Sequence, residues 1–215
     1  MVTAPPVDTC LLVFIDVQND YCHADGALGK AGHDLSGIDP AIVGCRAALG
    51  LARRVEVPVV HVRTEHSDWT DTPDWLDRGS GGATLTPRRA PIVRAGTWGA
   101  EPYGFTNRDD ELVLIKHRYS AFAHTPLELV ARARNRTTLL LAGFTTDVCV
   151  RATAIDAQSH GLRPWLLSDA TATTGASSHA EACALFAAFH GPVISTDQLR
   201  LSWPVADPSM CDVKA

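Results

Sequence analysis

Apolar residues along this chain follow two rhythms. Short, nearly unbroken apolar runs occupy residues 10–17 (CLLVFIDV), 57–62, 112–115, 138–142, 163–167 and 192–195, and runs of that length read as strands buried on both faces of a sheet. Between them, residues 40–55, 126–134, 147–160 and 178–190 carry apolar positions at helical spacing. Thr125 is a good N-cap with Pro126 at the first helical position, and Gly161 suits a helix C-cap. Strands alternating with helices predict a three-layer α/β/α fold on a parallel sheet joined by right-handed crossovers. Residues 64–104 break the pattern. Trp69, Trp75 and Trp98 stand there among Gly, Pro, Asp and Arg, and a loop that long in a compact domain is usually functional. From Trp203 onward the prolines predict a loosely ordered terminus.

In such a sheet a ligand binds outside the carboxyl ends of the strands, where strand order reverses. The strand-end positions are Asp16, His61 through Glu65, Lys116, the stretch after Gly143, and Asp169. Asp16 and Lys116 each end a strand, and Cys149 lies one short turn past another. A thiol is a weak nucleophile until deprotonated, and a cation or a helix N-terminus favours the thiolate. Lys116 and the helix N-terminus are therefore expected to lower the Cys149 pKa. Asp16 can take the thiol proton and return it to a leaving amine. Backbone N–H groups of Thr145 and Cys149 are candidate oxyanion-hole donors. On residue types alone the plain alternative stays open, because a strand-end Asp is often a cap and a lone Cys in an apolar helix is usually core.

Composition removes other classes of function. The length of 215 residues, 46% hydrophobic and 20% charged, suits one domain over residues 1–215, with a core at about 10–197 and a tail at about 203–215. A net charge of −5 offers no field for nucleic acid or anionic lipid, and the pairs Arg53-Arg54 and Arg88-Arg89 read as solvated faces. No apolar stretch approaches the ~20 residues that span a bilayer, and no basic-then-apolar leader opens the chain, so a cytoplasmic location is expected. Of the six cysteines, none forms a CxxC pair. Cys10, Cys22, Cys45, Cys183 and Cys211 read as reduced structural thiols, with Cys22 close to the Asp16 loop.

The segments LLVFIDVQNDY, LIKHRYSAFAHTPLE and AGFTTDVCV closely resemble the isochorismatase-like cysteine hydrolases, from about Cys10 to about Asp197. The look is nearest to the ureide and carbamoyl branch, which includes N-carbamoylsarcosine amidase, biuret and triuret hydrolases and ureidoacrylate amidohydrolase. The resemblance implies a six-stranded parallel sheet with helices on both faces and a catalytic set at Asp16, Lys116 and Cys149. It further implies a non-proline cis peptide at Phe144–Thr145, no cofactor, and a homo-oligomer, dimer or tetramer. Nicotinamidases of this family carry a metal site of the form Asp-x-His after the second strand. Here that place reads His61-Val-Arg-Thr-Glu65-His66-Ser-Asp68, without the spacing. No metal is expected, although Glu65, His66 and Asp68 are ion-binding residue types.

The expected activity is therefore cleavage of a C–N bond in a small amide, ureide or lactam through a thioester. Isochorismate-type vinyl-ether hydrolysis, with the thiol unused, and a non-catalytic binding role are the alternatives. Gln18 and Asn19 would face the pocket and hydrogen-bond a ureide, against a role in capping the loop. Arg118 could clamp a substrate carboxylate, with Tyr119 beside it. Trp98, Trp69 and Phe122 are candidate pocket walls. His179 reads as a helix cap or a surface residue.

Overall fold

The computed structural model describes residues 3–77, 92–174 and 178–203. Along the chain these form β1 (Cys10–Ile15), α1 (Asn19–Cys22), α2 (Ala27–Lys30), α3 (Ile38–Arg54), β2 (Val59–Thr64), α4 (Pro73–Asp77) and β3 (Leu112–Lys116). They continue as α5 (Leu127–Ala133), β4 (Thr138–Phe144), α6 (Arg151–Ser159), β5 (Arg163–Ala172), α7 (His179–Phe189), β6 (Val193–Ile194) and α8 (Thr196–Ser202). The six strands pair in parallel in the order β3-β2-β1-β4-β5-β6. Order reverses between β1 and β4, so the carboxyl ends of those two strands flank the crevice where a ligand binds in such sheets.

Two apolar clusters hold the layers together, and β1 feeds both because its side chains alternate in direction. Cys10, Leu12 and Phe14 pack with Ile42, Cys45 and Leu49 of α3 and with Leu199 of α8. Leu11, Val13 and Ile15 pack with Leu127 of α5, Ala154 of α6 and Phe186 of α7. Burial on both faces explains why β1 and β4 read as continuous apolar runs. Among the described residues no helix is long and apolar enough to cross a membrane.

Several boundaries differ from the sequence reading. Helix α5 begins at Leu127, and Thr125 caps it from two residues back, its Oγ1 accepting the Leu127 N–H at 3.2 Å. Strand β5 does not stop at Leu167: the β4–β5 register shifts between Leu141 and Gly143, and pairing resumes at Gly143 with Thr171. Asp169 lies inside this irregular stretch, where its carboxylate accepts the N–H and hydroxyl of Thr196 at the start of α8. The sequence reading assigned no element to that stretch and began its loose terminus at Trp203. Ser195 and Gln198 form a capping box at its start, and Trp203 is buried, its indole N–H donating to the Pro5 carbonyl at 2.9 Å. Residues 204–215, with Cys211, and the pair Arg88-Arg89 lie outside the described residues. Arg53 is not a solvated charge. It donates to both carboxylate oxygens of Glu111, at 2.6 and 3.0 Å, and Glu111 also meets His61 at 2.9 Å.

Helix α3 crosses the β5 irregularity at Gly44, where a Cβ would stand 1.9 Å from the Asp169 carbonyl oxygen. The next residue, Cys45, donates its thiol to the Ala170 carbonyl at 3.1 Å. Gly44→Ala must push α3 off the sheet, and overpacking of this kind costs about 1–3 kcal/mol. At this chain length that corresponds to a fall of roughly 2–12 °C in Tm, measurable by thermal denaturation. An unchanged Tm would contradict the close approach.

Candidate active site

Asp16 follows β1 with φ of 55°, a left-handed conformation that Asp tolerates better than most residues. Its N–H still bonds the Val62 carbonyl of β2 at 2.9 Å, so the side chain is fixed at the sheet's edge. Lys116 ends β3 in register with Thr64, the last residue of β2. Both charged groups are fully out of water, and Lys116 Nζ lies 2.7 Å from Asp16 Oδ2. Thr64 joins them: its Oγ1 accepts from Lys116 at 2.7 Å and donates to Asp16 Oδ1 at 2.8 Å. Lys116 also donates to the Arg118 carbonyl at 3.0 Å. The Asp16 Oδ2 contact is ionic only. Among the described residues no donor meets hydrogen-bond geometry at that oxygen, whose close neighbour is the Lys116 ammonium.

Strand β4 brings the third group. Gly143 has φ of 100°, and a Cβ there would fall 2.1 Å from the Ile15 carbonyl oxygen, so only glycine lets β4 end so close to β1. The Phe144–Thr145 peptide is cis. Residues Thr146–Val150 form a wide π-type turn, with the N–H of Val150 reaching the Thr145 carbonyl and that of Arg151 the Thr146 carbonyl. The sequence reading ran a regular helix through here. Wide turns of this kind recur at functional sites. Cys149 sits in the turn with its Sγ accepting from Lys116 Nζ at 3.6 Å. Thr153 Oγ1 ties the turn down, donating to the Cys149 carbonyl at 2.8 Å and accepting the Ala121 N–H at 3.0 Å.

Electrostatics reverse one expectation. Burial pushes the Cys149 thiol up to about 12; Lys116 opposes this and Asp16 adds to it. That direction favours the protonated thiol over the thiolate expected from the sequence. Burial pulls the Lys116 pKa down most strongly, but the neighbouring Asp16 and Cys149 together outweigh it and the net direction is up, so the ammonium is retained. The arrangement holds a thiol beside a cation and a carboxylate, the set needed to remove a thiol proton at the moment of attack.

The secondary candidates separate. Gln18 is committed to the fold: its amide donates to the Thr64 and Ala100 carbonyls and accepts the Thr64 N–H, each at 2.8 Å. Asn19 donates to the Trp98 carbonyl at 2.8 Å. Both amides therefore staple the loop after β1, and both ends of the Gln18 amide are engaged within the fold. Arg118 donates to the Thr70 and His117 carbonyls, and its guanidinium lies 4.7 Å from the Trp75 ring centroid. Tyr119 packs on the other side chain of that group, ring centroids 4.9 Å from Trp75. Phe122 is buried, stacks on His160 at the end of α6, and belongs to the same apolar cluster as Cys149. Trp98 is half exposed with its ring against His23, while Trp69 is exposed almost completely.

Two of the ion-binding residue types after β2, His66 and Asp68, are engaged with other partners. His66 pairs with Asp71 at 2.6 Å, and Asp68 with Arg94 at 2.6 Å. Among the described residues no three His, Cys, Asp or Glu side chains gather as metal ligands. Sequence reasoning missed Thr64, although its place at a strand end, one strand over from the lysine, was the available signal. The thiols of Cys10, Cys22, Cys45 and Cys183 are unpaired in disulfides, and burial raises the pKa of each.

An isochorismatase domain model matches residues 10–198. The ureidoacrylate amidohydrolase RutB of Methylobacterium radiotolerans is 32% identical over 222 residues, covering 95% of this chain and 84% of that protein. The crystal structure of N-carbamoylsarcosine amidase from Thermoplasma acidophilum superposes with a TM-score of 0.70 at 27% identity, covering 88% of this chain and 97% of that one. A cysteine hydrolase from Pseudomonas syringae pv. phaseolicola shares the fold with a TM-score of 0.77 at 22% identity, covering 93% and 96% of the two chains. The chain belongs to the isochorismatase family, a family of hydrolases on a six-stranded parallel α/β fold.

Two measurements check this geometry. Thr64→Val keeps the volume but strips the hydroxyl between two buried charges, and an orphaned buried polar group costs about 1–3 kcal/mol. The urea midpoint is expected to fall accordingly, with Thr64→Ser close to the native value. A thiol held near 12 by burial gains about tenfold in thiolate per pH unit below that value. Iodoacetamide labelling of Cys149, followed by peptide mass, should therefore climb through pH 7–9 without levelling. A plateau in that window would show a thiolate already formed at rest.

Proposed function

We propose that this chain is a thiol amidohydrolase that cleaves the C–N bond of a small ureide or carbamoyl amide. The observation that carries the reading is the contact set around Lys116: Asp16 Oδ2 at 2.7 Å and Cys149 Sγ at 3.6 Å, which gathers a carboxylate, an ammonium and a thiol in one place. An amide carbonyl needs a nucleophile and a proton carrier, and a leaving amine needs that proton back. The ureide class is favoured over other amides and lactams by the named activities of two relatives, a ureidoacrylate amidohydrolase and an N-carbamoylsarcosine amidase.

In this scheme Cys149 Sγ bonds to the ureido carbonyl carbon while its proton passes to Asp16. The N–H groups of Thr145 and Cys149 receive the developing oxyanion. Lys116 stabilises negative charge on the sulfur and the carboxylate in turn. The C–N bond then breaks, the departing amine takes the proton from Asp16, and a carbamoyl group remains on sulfur as a thioester. Water adds to that carbon and gives a proton to Asp16. The C–S bond breaks, sulfur recovers the proton, and carbamic acid leaves to break down into ammonia and carbon dioxide. A thiol that is neutral at rest suits this order of events, because the proton the amine requires is stored on the enzyme.

Ammonia release from ureidoacrylate, N-carbamoyl amino acids, biuret, nicotinamide and maleamate tests the reading. At least one ureide is expected to turn over, and Cys149→Ala to lose about 10⁴-fold or more in kcat, as removal of a covalent nucleophile does. Turnover in Cys149→Ala at the native rate would refute covalent catalysis through the thiol.

A further inference from the structure

Behind the nucleophile turn lies a group of polar side chains that this chemistry does not use. Thr146, beside the proposed oxyanion donor Thr145, is buried, and its Oγ1 lies 2.7 Å from Thr171 Oγ1 and 3.4 Å from His179 Nδ1. Thr171 reaches it only because β5 continues past its irregular stretch and resumes pairing opposite Gly143. His179 is not the cap of α7, since Ser178 fills that role through a capping box with Glu181. Its ring points inward instead, with Nε2 2.8 Å from the Ser168 carbonyl oxygen.

A carbonyl oxygen can only accept, so Nε2 carries the proton and Nδ1 is left as an acceptor. That choice orders the hydroxyls. Thr146 donates to His179 Nδ1, and Thr171 donates to Thr146. The chain runs in one direction from strand β5, through the turn, to helix α7. Cys183 lies beside the ring, 3.5 Å from Nε2, but burial raises its thiol pKa, so it stays neutral and adds no charge.

We propose that His179 is a positioning residue for the reaction, holding the Thr146 hydroxyl and through it the turn that presents Cys149 and the Thr145 N–H. The proposal rests on the amidohydrolase reading above for its kinetic form. Binding of substrate in the ground state does not depend on this brace, whereas the approach of sulfur to carbonyl carbon and oxyanion to N–H does. A displacement of about 1 Å in such an arrangement costs up to about a hundredfold in rate.

Steady-state kinetics of His179→Ala, His179→Asn and Thr146→Val, alone and as the His179→Ala/Thr146→Val double variant, tests this on whichever ureide turns over. His179→Ala is expected to lose about tenfold or more in kcat with KM within about twofold. His179→Asn, whose Oδ1 can stand where Nδ1 stood, is expected to recover most of the loss. The double variant should be no worse than the poorer single one. Should His179→Ala not fold, Thr146→Val breaks the same contact from the other side and is expected to show the same kcat loss. Native kcat in either variant, equal impairment of His179→Ala and His179→Asn, or losses that multiply in the double variant would each overturn the proposal. If no ureide is turned over by the native protein, the amidohydrolase reading fails by itself, and iodoacetamide labelling of Cys149 takes the place of kcat. A labelling rate changed at least about threefold in His179→Ala and restored in His179→Asn supports the brace, and identical rates in all variants overturn it.

Discussion

Lys116 and Asp16 meet at the carboxyl edge of the sheet with both charges removed from water. Neither would be tolerated there alone. An isolated ion in such a place loses several kcal/mol of hydration, and breaking a buried pair typically costs about 3–5 kcal/mol. The pair is held by Thr64, which bonds Lys116 and Asp16 Oδ1, and by the Arg118 carbonyl, which takes another ammonium proton. Much of the surrounding structure serves the same end: the left-handed turn at Asp16, the β2–β3 register that sets Thr64 against Lys116, and the Gln18 amide that pins the loop above them.

The same burial governs the sulfur. A cation beside a thiol is expected to yield a thiolate, but here the cost of charging a buried sulfur exceeds what one already-paired lysine returns. In the proposed reaction the sulfur keeps its proton until substrate arrives and then passes it to Asp16. The lysine is shared between carboxylate and sulfur, which separates this geometry from a simple cysteine–cation pair.

How much of this could be read from the residues varied with the range of the interaction. Strands buried on both faces announce themselves through unbroken apolar runs, so β1 through β4 and the order of elements were legible. The continuation of β5 through Ser168 and Asp169 was not, because its polar residues face partners on α3, α7 and α8 that no local pattern reveals. Helix α8 carried a legible signal in the Ser195/Gln198 capping box, overlooked because the helix is short. Gln18 and Asn19 sat next to the reactive carboxylate and looked like ligands for substrate. Their actual partners lie 46 to 82 residues further along the chain, at Thr64, Trp98 and Ala100.

By itself the sequence determined the class of fold, the strand ends on which Asp16 and Lys116 stand, and the presence of a cysteine one turn past β4. These follow from hydrophobic periodicity and from the rule that parallel sheets gather their functional groups at one edge. Only the tertiary structure decided the protonation of the sulfur, the linking role of Thr64, the structural duty of Gln18 and Asn19, and the inward aim of His179. Each of those depends on distances between segments far apart in the chain and on how completely water is excluded between them, and neither quantity is written in any local stretch of residues.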